Sequence, residues 1–193
     1  MLLENLHHKN LILASGSPRR QLFLKELGLH FEIRLKEIDE HYPPHLIGTE
    51  ITDYLAKLKA TPFLEELNKN DILITADTIV WLNKKAIGKP KNVQEAREML
   101  KELSGKKHEV ISSFCLTSKE KQIVKNEITQ VYFGELSMQE IDYYIDHYQP
   151  FDKAGSYGIQ EWIGYIGIEK IEGSFFNVMG FPIKLFYQEI KKM

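Results

Sequence analysis

Two stretches of the chain combine side chains that bind anions with a side chain that accepts protons. The first contains Ser15, Arg19 and Arg20, and the second places Asp77 between two apolar runs. Guanidinium groups bind phosphate oxygens two at a time. A buried carboxylate is costly without a partner, so we expect Asp77 to meet a metal ion, a lysine or an arginine, or to cap a helix. Phosphate is the ligand that fits the arginines best, and a catalytic or metal-binding role for Asp77 is one reading beside a purely structural one.

The stretch with the two arginines is predicted to run from a strand through a tight loop into a helix. Residues 11–14 are apolar, Ser17 is a favourable N-cap residue, and Pro18 suits the first helical position. Free N–H groups and the dipole at such a helix start favour an anion, and Gly16 lets the backbone approach one. Two arginines in the first turn oppose this dipole. Either they bind a ligand such as a phosphate chain or they are solvated surface residues, and the residues alone leave both readings open.

Two further polar stretches contain candidate ligand-binding residues. Lys89 lies between Gly88 and Pro90, which favours a rigid bend, and it is either within reach of a phosphate or an ordinary surface lysine. Asp39 and Glu40 belong to a polar loop that ends at two prolines. They form a solvated turn, face the arginines, or hold a divalent cation, whose preferred ligands are oxygens.

The composition excludes several classes of protein. Hydrophobic residues make up 43% of the 193 residues, which is enough for a core, and charged residues make up 27%. The formal net charge of -2 argues against a broad nucleic-acid surface. Cys115 is the single cysteine and lies in an apolar run, so it predicts a buried thiol, no disulfide and a reducing cytosol. No apolar run is long enough to cross a membrane.

The hydrophobic pattern predicts an α/β fold, in which strands and helices alternate along the chain. The predicted strands are residues 11–14, 31–33, 72–76, 108–117, 121–133 and 162–168. The predicted helices are residues 21–27, 49–58, 92–103, 137–148 and 183–190. A glycine-containing loop at residues 150–160 separates a helix from a predicted strand, and function concentrates in loops of this kind.

Several short motifs resemble those of the Maf-like nucleotide pyrophosphatases, also called septum-formation proteins, and they occur in the same order along the chain. The matching segments are residues 13–20, 38–40, 55–60, 76–78, 88–90, 103–108, 152–160 and 177–182. Each motif is weak alone, and together they are specific and cover essentially the whole chain. The resemblance implies a single domain over residues 1–193, with a central mixed twisted sheet flanked by helices. It also implies two lobes around a nucleotide-binding cleft, as in the Maf and ITPase folds.

The resemblance further implies an enzyme that hydrolyses dTTP and UTP to the monophosphate and diphosphate. A divalent cation, Mg²⁺ or Mn²⁺, would be its cofactor, and housecleaning of nucleotide pools its role, with a link to cell division arrest. The expected location is the cytoplasm, without a nucleic-acid or membrane partner, and a homodimer is one option for the oligomeric state. Two alternatives stay open: a non-catalytic nucleotide-binding regulator of septum formation, and a 7-methyl-GTP pyrophosphatase.

The resemblance also implies a role for each motif residue. Asp77 would be the proton acceptor, and Asp77 with Glu40 would hold the metal. Lys89 would act in catalysis, and the substrate-binding residues would be Ser15, Arg19, Arg20, Lys59, Thr78 and Gln160. Three of these, Arg19, Thr78 and Gln160, resemble the set that marks the dTTP/UTP subfamily. One departure lies beside this set, because Glu161 stands where the family commonly has glycine and could alter the base pocket.

Overall fold

A computed structural model describes residues 6–193, and its helices and strands alternate as the hydrophobic pattern predicts. The strands are β1 (Asn10–Leu13), β2 (Phe31–Ile33), β3 (Asp71–Leu82), β4 (Lys85–Ile87), β5 (Lys107–Thr117), β6 (Gln122–Phe133) and β7 (Ile168–Glu172). The α-helices are α1 (Pro18–Glu26), α2 (Thr49–Leu58), α3 (Val93–Leu103), α4 (Met138–Tyr148), α5 (Trp162–Gly167), α6 (Phe175–Val178) and α7 (Ile183–Ile190). Short 3₁₀ helices span Thr61–Glu66, Pro150–Asp152 and Ala154–Ser156.

The strands form one seven-stranded mixed sheet, which confirms the α/β prediction. The order is β2-β1-β3-β5-β6-β7, and β4 pairs with β3 outside this path. β1 runs parallel to both β2 and β3, whereas β4 is antiparallel to β3 and β7 is antiparallel to β6. None of the helices in the part of the chain that the model describes is long and apolar enough to span a membrane.

The described part of the chain divides into two compact units, of which the first comprises the described residues up to Asp77, with residues 112–127 and 180–193. Its parallel strands β1 and β3 are almost fully buried, as expected for strands covered on both faces. An aromatic group of Phe114, Phe181 and Phe186 is buried here, with ring centroids 5.0 to 6.0 Å apart. The loop after β1 and the first half of β3, where several of the candidate residues lie, belong to the same unit.

The second unit comprises residues 78–111 and 128–179. Its core is formed by apolar side chains of β3, α3, β6 and α4, among them Leu100, Val131 and Tyr144. Both helices begin as the sequence predicts. The Asn92 side chain accepts from the backbone of Glu95 at the start of α3, and Ser137 forms a capping box with Glu140 at the start of α4.

One predicted strand is wrong. Residues 162–168 were expected to extend as a strand, but Trp162–Gly167 forms the short helix α5, and β7 begins only at Ile168. The turn closes because the Gly164 N–H donates to the Glu161 carbonyl at 2.8 Å. A Cβ at Gly164 would lie 1.8 Å from the Ile159 carbonyl oxygen, so only glycine permits this close approach. The glycine therefore marks a tight helical turn rather than a bulge in a strand.

Candidate active site

The loop that follows β1 is anchored by a serine side chain. Ser15 is buried, and its hydroxyl accepts from the backbone N–H of Ser17 and from the guanidinium of Arg20, both at 3.3 Å. Ser17 is the N-cap residue of α1 and Pro18 occupies the first turn, as the sequence predicts, although the Ser17 side chain makes no capping hydrogen bond. Arg19 lies beside Arg20 in this first turn and is half-buried.

Arg20 is not a free surface arginine. Its guanidinium donates to the backbone carbonyls of Ala76, at 2.9 Å, and Gly180, at 3.1 Å. Burial lowers the pKa of this guanidinium to about 10, and the nearby Asp77 carboxylate offsets part of that effect. The group therefore stays protonated at neutral pH. It places a fixed positive charge beside Asp77, in the middle of β3.

Asp77, Lys59 and Glu40 form a charged cluster in the first unit. The Lys59 ammonium lies 2.7 Å from Oδ1 of Asp77 and 3.0 Å from Oε2 of Glu40. The Asp77 side chain is only 9% exposed, whereas the Glu40 side chain is 51% exposed. Of the partners considered for Asp77, the one present is a lysine, which keeps the buried carboxylate from being unpaired. Asp39, next to Glu40, pairs instead with His41.

The second carboxylate oxygen of Asp77 is the unusual feature of this cluster. Oδ2 is buried and has no hydrogen-bond partner among residues 6–193. Buried polar atoms of native proteins are nearly always paired, so an unpaired one suggests a ligand-binding or catalytic role. Two carboxylates around one cation, with one oxygen unpaired, are suitable donors for Mg²⁺ or Mn²⁺. Such ions commonly take one or two protein carboxylates and complete their coordination with substrate phosphates and water.

The remaining candidate residues lie in the second unit. Thr78 follows Asp77 in β3 and is half-buried, Lys89 is exposed, and Gln160 is half-buried. The loop with Gln160 is tied to the segment that contains Lys89, because the Gly155 N–H donates to the Gly88 carbonyl at 2.9 Å. Five of the nine candidates, Ser15, Arg20, Glu40, Lys59 and Asp77, therefore form a connected group within the first unit. Arg19 is adjacent to that group in the chain.

Sequence reasoning missed two sets of contacts. The Gly180 carbonyl that accepts from Arg20 is 160 positions away in the chain, and no local pattern could indicate it. The second set surrounds Glu161, whose carboxylate binds the Tyr144 hydroxyl and the Lys153 ammonium. A signal did exist for this set: Glu161 stands where the resemblance leads us to expect glycine, and a charge beside buried residues needs partners.

The chain is similar to one family model and to several known proteins. The family model described as "Maf-like protein" matches residues 10–193. A protein named dTTP/UTP pyrophosphatase from Flavobacterium psychrophilum is 56% identical over 187 residues, which is 97% of this chain and 96% of the relative. One of the same name from Christiangramia forsetii is 54% identical over 193 residues, which is 100% and 98%. Among solved structures, the Staphylococcus aureus Ham1 protein aligns with a TM-score of 0.42 and 14% identity, over 65% of this chain and 72% of that one.

Proposed function

We propose that the chain, which belongs to the Maf-like protein family, hydrolyses dTTP and UTP to the nucleoside monophosphate and diphosphate. The relatives named dTTP/UTP pyrophosphatase support this substrate choice because they align with almost the full chain at more than half identity. The observation that carries the proposal is the cluster of Asp77, Lys59 and Glu40, with its unpaired buried carboxylate oxygen beside a fixed arginine.

In the proposed reaction, a water molecule attacks the α-phosphorus of the nucleotide. A bond forms between the water oxygen and the α-phosphorus, the α–β anhydride bond breaks, and diphosphate leaves with the electron pair of that bond. Oδ2 of Asp77 accepts the proton of the water, because it is the carboxylate oxygen without a hydrogen-bond donor. Lys59 donates to Oδ1 at 2.7 Å and so orients the carboxylate for this transfer.

Positive side chains neutralise the phosphates. Arg20 and Lys59 supply fixed charge in the first unit, Ser15 holds the Arg20 guanidinium, and Lys89 supplies an exposed ammonium. Fixed charge of this kind costs no reorganisation when the phosphate charge is redistributed. Asp77 and Glu40 would hold a divalent cation, Mg²⁺ or Mn²⁺. When bound, the cation supplies Lewis-acid neutralisation of phosphate oxygens.

The base would be selected by Arg19, Thr78 and Gln160. A glutamine amide offers one donor group and one acceptor, which suits the carbonyl and N–H edge of a pyrimidine. Thr78 adds a short hydroxyl without charge, and Arg19 presents a polar surface rather than an aromatic stacking face. The cytoplasmic location, the homodimer and a part in cell division arrest stay predictions.

A nucleotide panel with detection of released diphosphate tests the proposal. UTP and dTTP should be hydrolysed well, and ATP, GTP and 7-methyl-GTP poorly, because a site built on paired hydrogen bonds rejects the wrong edge. Nucleotide binding without diphosphate release would favour a non-catalytic regulator. A preference for 7-methyl-GTP over UTP would contradict the assigned base selection.

A further inference from the structure

The Glu161 carboxylate is the centre of a hydrogen-bonded network around the turn that contains Gln160. One carboxylate oxygen of Glu161 accepts from the Tyr144 hydroxyl, and the other lies 3.1 Å from the Lys153 ammonium. The same Tyr144 hydroxyl accepts from the Gly158 N–H at 3.0 Å. Tyr144 therefore bridges the two ends of the segment 158–161.

The tyrosine at this bridge is part of the buried core. Tyr144 is 0% exposed and lies on α4, so its position is fixed by packing. Burial and the hydrogen bond to Glu161 both raise the pKa of its hydroxyl. The hydroxyl thus remains protonated and serves as a donor to the carboxylate over the whole physiological range.

The lysine at the opposite end of the loop is also held firmly. Lys153 is 8% exposed, and its ammonium pairs with Asp152 at 2.7 Å as well as with Glu161. A buried ammonium with two carboxylate partners has its charge compensated even if one partner is neutralised. Substitutions of Glu161 that keep its shape are therefore compatible with a folded protein.

The turn itself is tightly closed. The Glu161 N–H donates to the Gly158 carbonyl at 2.9 Å, and a Cβ at Gly158 would lie 2.8 Å from the Glu161 carboxyl carbon. The backbone carbonyl of Gln160 accepts from the Tyr165 hydroxyl at 3.0 Å. The backbone on both sides of Gln160 is thus fixed, while its side chain is half-buried.

We propose that Tyr144 and Glu161 are positioning residues that set the orientation of the Gln160 amide and thereby the choice of base. This inference rests on the proposed function, in which Gln160 reads the pyrimidine edge. An amide can discriminate between bases only if its donor and acceptor are held in place. The network holds the backbone of Gln160 in place from the core.

The test compares two tyrosines on the same helix. Tyr144→Phe removes the bridging hydroxyl and keeps the ring. Tyr148→Phe makes the same change in an exposed tyrosine whose ring stacks on Tyr144 at 5.1 Å. We expect Tyr144→Phe to lower the ratio of kcat/KM for UTP to that for GTP by about tenfold, because a buried donor and acceptor lose their partner. The Tyr148→Phe ratio should equal that of the wild type.

A second pair of variants separates position from charge. Glu161→Gln retains an acceptor for the Tyr144 hydroxyl and should keep most of the selectivity, whereas Glu161→Ala should lose it as Tyr144→Phe does. In hydrogen exchange, the segment 155–161 should exchange faster in Tyr144→Phe and Glu161→Ala than in Tyr148→Phe. This readout needs no activity, and it detects the loosened turn directly.

The outcomes distinguish the inference from the proposed function. If the wild type releases no diphosphate from UTP, the proposed function is wrong. If the wild type is active and selective but Tyr144→Phe keeps both its substrate ratio and its exchange pattern, the positioning inference is wrong. Equal loss of activity toward every nucleotide, with an unchanged ratio, also contradicts it, because that result indicates a purely structural role.

Discussion

Replacement of Asp77 by asparagine should separate activity from stability. The change keeps the size of the side chain and removes the carboxylate that accepts the proton. We expect turnover of UTP to fall at least about 100-fold, the usual scale for a general base. That loss corresponds to about 2.7 kcal/mol of barrier at 25 °C.

The cost to the fold should be much smaller, for reasons visible in the charged cluster. The asparagine carbonyl can still accept from Lys59, which lies 2.7 Å from Oδ1, and the ammonium remains 3.0 Å from Glu40. The change therefore weakens one charged hydrogen bond without leaving a buried charge unpaired, at a cost of about 1 kcal/mol. For a chain of this length, the thermal midpoint should fall by roughly 2–4 °C.

Asp71, on the same strand, provides a matched control. It is 2% exposed, and its carboxylate accepts from the backbone and side chain of Asn68 at 2.9 and 3.1 Å and from Asn10 at 3.0 Å. Asp71→Asn replaces one accepting carboxylate oxygen by an amide N–H group, which then faces an N–H donor of Asn10 or Asn68. The free energy of unfolding should therefore fall by about 1–3 kcal/mol with kcat unchanged. Diphosphate release and thermal unfolding, measured on both variants, check the contrast. Near-normal turnover in Asp77→Asn would refute the assignment of Asp77 as the base. An equal loss of activity in Asp71→Asn would show that the loss is not specific to Asp77.

Three further predictions concern the metal, the base and pH. Excess chelator should stop diphosphate release and Mg²⁺ or Mn²⁺ should restore it, since Glu40 and Asp77 are oxygen donors; full activity in chelator contradicts this. Gln160→Ala should reduce the preference for UTP over purine nucleotides in the same assay with little change in thermal midpoint, and an unchanged ranking contradicts the assigned role. Burial lowers the pKa of His108 from 6.5 to about 4, so the unfolded state binds more protons between these values and stability falls as pH falls. In denaturant unfolding, the free energy of unfolding should fall by about 2 kcal/mol from pH 7 to 5, and His108→Gln should abolish this fall. A variant that shows the same dependence of stability on pH as the wild type would contradict the assignment.

The sequence predicts the charged residues of the site better than it predicts their partners. Asp77 follows a continuously apolar stretch, so burial alone requires a partner for it, and that partner is Lys59. The roles of Lys59 and Glu40 came from the family motifs, because neither residue is unusual in its local sequence. The Gly180 carbonyl beside Arg20 depends on the packing of a distant segment, which no short pattern encodes.

The fold was predictable where local signals agree with tertiary packing. α3 has both a cap at Asn92 and one apolar face, so its start and type were correct. The segment 162–168 has apolar residues and two glycines, and this pattern is compatible both with a strand that contains a bulge and with a short helical turn. The contact between Gly164 and the Ile159 carbonyl decides between them, and it exists only once the preceding turn has formed.

Because Cys115 is buried, its reaction with a thiol reagent can report local opening of the folded chain. This single cysteine lies in β5 with 0% exposure, its Sγ is 3.3 Å from the Thr117 hydroxyl, and burial raises the pKa of the thiol. A raised pKa and complete enclosure both suppress the thiolate that alkylating reagents require. Alkylation of the native protein must therefore wait for the surrounding strand to open. When the strand recloses faster than the reagent reacts with the exposed thiol, the labelling rate measures the free energy of that opening in the unmodified protein.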